Sequence, residues 1–183
     1  ESVTGQNYSE SFVYDNKSRL SQKNIVADGT TYTYDYGYDD AGTRLLDSIT
    51  YPTSTSGYRL KVKNTYTLGQ LSQIADFNVP ATVFWSRNQL DPAGHITQET
   101  LANGLKTNRV YDSVSGFLAS IQTGTTGNPT LRQNVSYLWN KGGGLTQRQE
   151  NAQGLTENFY YDNLHRLDYS TLKIGAGAPT TNL

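Results

Sequence analysis

The sequence predicts an all-β chain of consecutive antiparallel hairpins that form a twisted, spiralling sheet. Runs of about six to eight residues, rich in Thr, Val, Tyr and Leu, have the length and composition of strands. Turn signals built from Gly, Asn, Asp and Pro separate these runs at short intervals. No window of about eleven residues shows a helical stripe, so we predict no helix.

Residues 91–124 show this order most clearly, as three turns that alternate with three strands. "DPAG" places Asp91 and Gly94 at the ends of a type I turn. "ANGL" carries the Asn-Gly pair that suits a two-residue hairpin turn. "YDSVSG" begins at Tyr111 and Asp112 and ends at Gly116, which can adopt the left-handed conformation.

The composition favours a folded protein over a disordered one. Hydrophobic residues make up 35% and charged residues 17% of the 183 residues, which is low for both. Disordered chains combine low hydrophobicity with high net charge and few aromatics, whereas this chain has a net charge of -1 and 14 Tyr. The balanced charge predicts no nucleic-acid partner, and no apolar run is long enough for a membrane span. The absence of Cys rules out disulfides and thiolate chemistry.

One repeat recurs from end to end, so we predict a single array of about seven units over residues 1–183, with no second domain. Clear copies occupy residues 12–25, 36–49, 108–121 and 158–171. Each has Tyr-Asp at a strand end, then a turn, a bulky residue and Leu. Three degenerate copies fill the gaps. We assign the aromatic that anchors each unit as Tyr14, Tyr38, Tyr66, Trp85, Tyr111, Tyr137 and Tyr161.

The residue types of the repeat suit a hairpin corner. In "YDDAGTRL", Asp39 can accept a hydrogen bond from a nearby backbone N–H, and Gly42 can take positive φ. Tyr38 and Leu45 then face each other across the hairpin, a contact that contributes about 0.2–1 kcal/mol.

Two copies have no Gly at the turn position assigned to it. Ser18 stands there in the first copy and His165 in the last. Ser is less favourable at positive φ, so we expect the hairpin at Asp15 to be looser than the hairpin at Asp39.

The repeat resembles the Rhs family, also called YD repeats, whose consensus is roughly Y-D-x-x-G-R-L. "YDDAGTRL" matches with one inserted residue, "YDSVSGFL" has Phe117 in place of Arg, and "YDNLHRL" and "YDNKSRL" lack the Gly. The residues that carry the motif are Tyr14, Asp15, Tyr38, Asp39, Gly42, Arg44, Leu45, Asp91, Gly94, Tyr111, Asp112, Gly116, Tyr161, Asp162, Arg166 and Leu167.

The resemblance implies a structural role. Bacterial Rhs toxins, the BC components of insecticidal toxin complexes and animal teneurins wind such hairpins into a hollow shell, which in the bacterial toxins encloses a C-terminal effector. The partners implied are the rest of a parent chain and its enclosed domain, in a secreted or cell-surface bacterial protein. A chain that starts at Glu1 without Met looks like a piece of something longer. The autocleaving D-P-x-G-L signature is missing, because His95 replaces its Leu, so neither autoproteolysis nor a toxin payload is carried over.

Catalytic and metal sites find little support in the residues. The densest acidic group is Asp35, Asp39 and Asp40, yet calcium sites gather more oxygen ligands than the single Asp of each turn provides. His95 and His165 lie at turns, and two His without Cys cannot build a structural zinc site. No Gly-x-Ser-x-Gly elbow or phosphate loop is present. We therefore predict a non-enzymatic protein without a cofactor.

Two alternatives remain open beside the structural role. Exposed aromatics could stack on sugars and give an adhesive or carbohydrate-binding surface, with Trp85 and Trp139 as the candidate residues. Packing of both rings against the next hairpin is the simpler interpretation. An enzyme assembled at a sheet edge is the other alternative. We also expect raw sheet edges at about residues 5–14 and 159–172, through which the chain would self-associate.

Overall fold

The computed structural model describes residues 2–5 and 7–182, with side chains for residues 7–181. Contacts divide the chain into two compact units, Glu1–Ser86 and Arg87–Leu183. The described residues contain sixteen strands and no helix. The prediction of an all-β chain of antiparallel hairpins is confirmed, while the single array of about seven repeats remains a prediction.

The strands of the first unit pair in chain order, each antiparallel to its sequence neighbours. The unit boundary lies within its last strand. These strands are β1 (Ser2–Gly5), β2 (Tyr8–Tyr14), β3 (Leu20–Ala27), β4 (Thr30–Tyr38), β5 (Leu46–Thr50), β6 (Lys61–Thr67), β7 (Gln70–Asp76) and β8 (Val83–Leu90).

The second unit follows the same rule of antiparallel pairing in chain order. Its strands are β9 (Ile96–Leu101), β10 (Lys106–Tyr111), β11 (Leu118–Gly124), β12 (Gln133–Trp139), β13 (Leu145–Glu150), β14 (Leu155–Tyr161), β15 (Leu167–Ile174) and β16 (Thr180–Asn182). The three strands expected within residues 91–124 are therefore β9, β10 and β11.

The predicted raw edges are wrong. β2 is paired with β1 on one side and β3 on the other, and β15 is paired with both β14 and β16. The sequence argument missed β1 and β16 because both are short and have no apolar alternation. Residue 6, which the first predicted edge included, lies outside the described residues.

Very few side chains are buried in either unit. Among the described residues the buried hydrophobic side chains are Val62, Ala75 and Val135, and no large side chain is fully buried. Within each unit the strands contact only their neighbours in the chain. A strand that contacts only its two neighbours keeps both faces partly open to water, which explains the low apolar content of the sequence.

Polar side chains on neighbouring strands bond to each other across the sheet. Gln98 Nε2 donates to Asn108 Oδ1 at 2.8 Å, and Gln147 Nε2 donates to Asn158 Oδ1 at 2.9 Å. Such cross-strand pairs contribute small terms that add up along a sheet. They take over part of the role that a hydrophobic core has in an ordinary domain.

Candidate functional site

The recurring site of this chain is the hairpin corner, and its geometry is the same in four copies. In the first, the Asp15 N–H donates to the Arg19 carbonyl oxygen at 2.8 Å, and the Ser18 N–H donates to the Asp15 carbonyl oxygen at 3.0 Å. The corner at Asp91 closes on His95, and the corner at Asp162 closes on Arg166, with the same two bonds. The corner at Asn140 closes on Gly144 with the same two bonds, with Asn in place of Asp. We call the residue whose carbonyl oxygen accepts the N–H of this Asp or Asn the closing residue.

The Asp carboxylate holds each corner from inside. Asp162 Oδ1 accepts the backbone N–H groups of Leu164 and Arg166 at 2.8 and 2.9 Å, while its Oδ2 accepts Arg166 Nε at 2.8 Å. Asp15 binds Lys17 and Arg19 in the same manner. In the two corners that lack Gly, the residue at the predicted Gly position takes positive φ, which is 60° at Ser18 and 59° at His165.

The prediction that Gly42 takes positive φ is wrong. The corner at Asp39 is two residues longer than the corner at Asp15, so Leu45 is its closing residue and Arg44 has φ 62°. Gly42 is needed for a different reason. Its N–H donates to Asp39 Oδ1 at 3.0 Å, and a Cβ on Gly42 would lie 2.7 Å from Asp39 Oδ2.

The two extra residues shift the motif Leu of this copy. Leu45 occupies the position of Arg19, and Leu46 occupies the position of Leu20. Tyr38 is accordingly paired with Leu46 and not with Leu45 as predicted. The corner at Asp112 is also long, with Phe117 as its closing residue and Gly116 at φ 73°, as predicted.

The corner hydrogen bonds keep the Asp side chains ionised. The backbone N–H groups of Arg19, Thr43, Ser115 and Arg166 are the largest causes that lower the pKa of Asp15, Asp39, Asp112 and Asp162, respectively. At Asp91 partial burial acts to raise the pKa, but the His95 ring and backbone lower it overall. Carboxylates that accept backbone N–H bonds are poor proton donors at neutral pH.

Four anchor aromatics tie their hairpins to the preceding ones. The Tyr38 hydroxyl donates to the Leu20 carbonyl oxygen at 2.9 Å. The Tyr66 hydroxyl donates to the Leu46 carbonyl oxygen at 2.9 Å, and the Tyr161 hydroxyl donates to the Leu145 carbonyl oxygen at 2.8 Å. The Trp139 indole N–H donates to the Leu118 carbonyl oxygen at 2.8 Å. In all four cases the acceptor is the residue that follows a closing residue. The sequence does not reveal this bond, because it joins residues of different repeats.

A β-bulge turns each anchor aromatic toward this partner. The pairing register shifts by one residue just before Tyr14, Tyr38, Tyr66, Tyr111, Trp139 and Tyr161. A bulge re-aims the side chain that follows it. Tyr14 and Tyr111 have the bulge, but no hydrogen bond of either hydroxyl is present among the described residues.

Two of the predicted anchors are wrong. In the hairpin of β8 and β9 the residue before the corner Asp is Leu90, whereas Trp85 is paired with Ile74 inside the ladder of β7 and β8. In the hairpin of β12 and β13 the anchor is Trp139, followed by Asn140 in place of Asp. The repeat pattern favours Tyr137 as a retained Tyr and Trp85 as an aromatic near the expected spacing, but the anchor position is that of the residue directly before the corner.

The "ANGL" turn also differs from its prediction. The Leu101 N–H donates to the Leu105 carbonyl oxygen, and the Gly104 N–H donates to the Leu101 carbonyl oxygen, both at 2.9 Å. Only Gly104 of this turn has positive φ, at 79°. The turn is therefore a type I turn closed by a Gly bulge, and not a two-residue turn.

Closing residues cover the rings of the following anchors. The Arg19 guanidinium lies 4.2 Å from the Tyr38 ring centroid, and the His95 ring stacks on Tyr111 with centroids 4.5 Å apart. At the next position Phe117 and Trp139 have centroids 5.2 Å apart and ring planes tilted by 39°.

A groove of about 390 Å³ opens beside this last pair. Its walls include the rings of Phe117, Tyr137 and Trp139, and polar groups of Asp112, Asn140 and Lys141 line it. Trp139 remains 37% exposed although its indole N–H is bonded. Of the two predicted candidates, Trp139 therefore lies in a groove, and it packs against Phe117 of the preceding hairpin.

The acidic group around Asp40 is held by ion pairs. Lys17 Nζ and Arg19 Nη2 lie 2.7 and 2.8 Å from Asp40 Oδ1. In the described part of the chain no three His, Cys, Asp or Glu side chains assemble into a possible metal site. Nor does that part contain a helix long and apolar enough to cross a membrane.

Comparison with known proteins identifies the fold. No family model matches the chain, and a search of curated proteins finds no match. Among solved structures, a chain of the TcdB2-TccC3-TEV crystal structure matches over 89% of this chain at 16% identity, with a TM-score of 0.69. A chain of the TcdB2-TccC3-Cdc42 crystal structure covers 90% at 16% identity, with a TM-score of 0.50.

These structural neighbours are toxin-complex chains of the YD-repeat type, so the fold that the motif resemblance implied is confirmed. The present chain spans only 9% and 7% of the length of the two neighbours.

Proposed function

We propose that this chain is a wall segment of a YD-repeat shell, which encloses or presents another domain of a larger protein, and that it has no catalytic role. The observation that carries the proposal is the single layer of strands. Within each unit the strands contact only their chain neighbours, and the described buried hydrophobic side chains are three in number. A sheet built in this way has two accessible faces, as a wall requires.

The ties between hairpins support the same role. A wall without a core needs bonds that fix one hairpin to the next, and the anchor aromatics supply them through Leu20, Leu46, Leu118 and Leu145. These bonds lie where the strands turn, so they stiffen the border of the sheet while the faces stay free.

The state of the corner carboxylates supports a non-catalytic role. General acids and bases need a pKa near the working pH and a free proton-transfer path. Asp15, Asp39, Asp112 and Asp162 have lowered pKa values and accept backbone N–H bonds. These carboxylates therefore serve as structural hydrogen-bond acceptors that hold the hairpin corners.

The partners under this proposal are the rest of the parent chain and the domain it encloses, in a secreted or cell-surface protein. The similarity to toxin-complex chains supports this assignment. Limited proteolysis of the purified parent protein tests it. The enclosed domain should resist protease in the wild type and become cleavable in a Gly124→Val variant, where any Cβ would lie 2.0 Å from the Asn128 carbonyl oxygen.

Gly127→Val is the matched control, because a Cβ at Gly127 meets no atom within 4 Å. This variant should protect the enclosed domain as the wild type does. Equal cleavage of that domain in the wild type and in Gly124→Val would contradict the proposal.

A further inference from the structure

Two tyrosine rings stack directly against each other across strands β14 and β15. Tyr160 and Tyr169 are partners in the antiparallel ladder, and their ring centroids lie 4.4 Å apart with ring planes only 12° from parallel. A second Tyr–Tyr contact within the described residues joins Tyr34 and Tyr51, with centroids 5.8 Å apart and ring planes at 67°. Parallel rings in direct contact on facing residues therefore distinguish the first pair from the second.

The phenol groups of this pair are not used to tie hairpins together. The hydroxyls of the anchors Tyr38, Tyr66 and Tyr161 donate to backbone carbonyl oxygens. Neither the Tyr160 nor the Tyr169 hydroxyl makes a hydrogen bond to another described residue. Tyr160 is 41% exposed and Tyr169 is partly exposed, so both phenols are accessible from solvent.

We propose that Tyr160 and Tyr169 form a site of oxidative cross-linking, at which a haem peroxidase with hydrogen peroxide joins the two rings as dityrosine. The peroxidase removes one electron from each phenol, and each hydroxyl proton is released to water. An ortho carbon of one phenoxyl ring then bonds to an ortho carbon of the other. The hydrogens of these two carbons leave as protons and the two oxygens are reprotonated, which restores both phenols. The two electrons and two protons released overall reduce one hydrogen peroxide to two waters.

The contact between the two rings favours coupling within one chain. Coupling between tyrosines of separate molecules depends on diffusion and encounter, whereas groups held in contact react as if they were present at very high concentration. Tyr160 and Tyr169 need only side-chain rotations to bring an ortho carbon of each ring together, and such rotations are fast for exposed residues. Whichever phenol is oxidised first, its partner lies beside it.

A covalent link at this place would lock the corner at Asp162. Tyr160 and Tyr169 flank that corner, which closes on Arg166 through hydrogen bonds and an ion pair. The chain has no Cys, so no disulfide can close any of its hairpins. A bond between β14 and β15 keeps the two strands from separating, so exchange of the Arg166 amide with solvent should slow. The proposal does not depend on the shell role, because it rests on this pair alone.

Oxidation of the 183-residue chain by a haem peroxidase with limiting hydrogen peroxide tests the inference. Monomers are separated from covalent dimers and digested with trypsin, which cuts between Arg166 and Leu167 and so separates the two tyrosines. We expect the monomers to show dityrosine fluorescence and to yield peptides 149–166 and 167–173 as a covalently joined pair. Tyr169 is the sole Tyr of the second peptide, and fragmentation of the first distinguishes Tyr160 from Tyr161.

Phe variants separate loss of the phenol from loss of the fold. Tyr160→Phe and Tyr169→Phe keep the stacked ring, so each should abolish the joined peptides and lower the dityrosine fluorescence of monomers several-fold, with an unchanged thermal midpoint. Tyr51→Phe, in the edge-on pair, is the matched control and should cross-link as the wild type does.

Three outcomes would overturn the inference. One is the absence of the joined peptides from oxidised monomers, and another is a link that fragmentation places at Tyr161. The third is cross-linking of monomers that Tyr160→Phe and Tyr169→Phe leave at the wild-type level. Exchange of the Arg166 amide at the same rate in linked and unlinked monomers would overturn the locking of the corner.

Discussion

The Tyr161 hydroxyl donates a 2.8 Å hydrogen bond to the Leu145 carbonyl oxygen, which belongs to the preceding hairpin. The two residues are joined by neither a turn nor a ladder pair, so this bond fixes one repeat to the next. Tyr38 and Tyr66 make the equivalent bond. It gives the Tyr of the repeat a role that its aromatic ring alone would not explain.

Removal of this hydroxyl should destabilise the protein. We expect Tyr161→Phe to lower the free energy of unfolding by about 0.5–1.5 kcal/mol, since it deletes one hydrogen bond and leaves a carbonyl oxygen without its partner. Tyr14→Phe is the matched control, because Tyr14 has the same position in its hairpin and no such bond within the described residues. Its effect should be within about 0.5 kcal/mol. Equal losses in urea unfolding of both variants would refute the role of the hydroxyl.

Two glycines close together in the chain should respond in opposite ways to the same substitution. A Cβ at Gly124 would lie 2.0 Å from the Asn128 carbonyl oxygen and 2.7 Å from the Pro129 carbonyl carbon, both backbone atoms. Gly124→Ala should therefore lower stability by about 1–3 kcal/mol. A Cβ at Gly127 meets nothing within 4 Å, so Gly127→Ala should be neutral or slightly stabilising. Thermal unfolding of the two variants decides, and a tolerated Gly124→Ala would count against the described turn.

The structure removes the reason for the expected order of two hairpin corners. The expectation that the Asp15 corner is looser assumed that Gly42 has positive φ at the Asp39 corner, but Arg44 is the residue there. The Asp15 corner has in addition an ion pair of Arg19 with both Asp15 and Asp40. We now expect the amide of Arg19 to exchange with solvent no faster than the amide of Arg44.

Hydrogen exchange measured by NMR checks this order. Arg19→Ala should speed exchange at the Asp15 corner and leave the Asp162 corner, which has its own Arg166, unchanged. Faster exchange of the Arg19 amide than of the Arg44 amide in the wild type would restore the original expectation.

Acid should weaken the corners. The pKa values of Asp15, Asp39, Asp112 and Asp162 are lowered in the folded protein, first of all by backbone N–H bonds. A carboxyl whose folded pKa lies below its unfolded value of about 3.9 stabilises the fold above that value. This contribution is lost as the pH falls through the folded pKa. We therefore expect stability to decline below about pH 4.

Asn140 suggests the variant that tests this dependence. Its neutral amide oxygen accepts two backbone N–H groups at 2.9 Å, as a corner Asp does. Asp112→Asn should keep its corner and show a smaller loss of the urea midpoint between neutral and acid pH than the wild type. A wild-type midpoint that does not change on acidification would contradict the role given to the corner carboxylates.

The sequence by itself determined the fold class, the position of most corners and the residues that form them. Asp, Gly, Asn and Ser have local reasons to stand at a turn, because their short side chains bond to nearby backbone or tolerate positive φ. Such effects act within a few residues, so the pattern of Tyr-Asp and Leu was sufficient to predict hairpins at Asp15, Asp112 and Asp162. It was sufficient even where Ser18 or His165 replaced Gly.

The tertiary structure decided what local effects cannot. The corner at Asp39 closes with two more residues than the corner at Asp15, which places positive φ at Arg44 and not Gly42, and the motif Leu at Leu46 and not Leu45. Closure of the corner depends on three-dimensional hydrogen-bond geometry. The bond from four of the anchors to the preceding hairpin joins residues separated by a full strand pair. The groove at Trp139 exists because Phe117 of one repeat meets Trp139 of the next. Contacts of this kind depend on how the repeats stack, so the sequence of a single repeat cannot predict them.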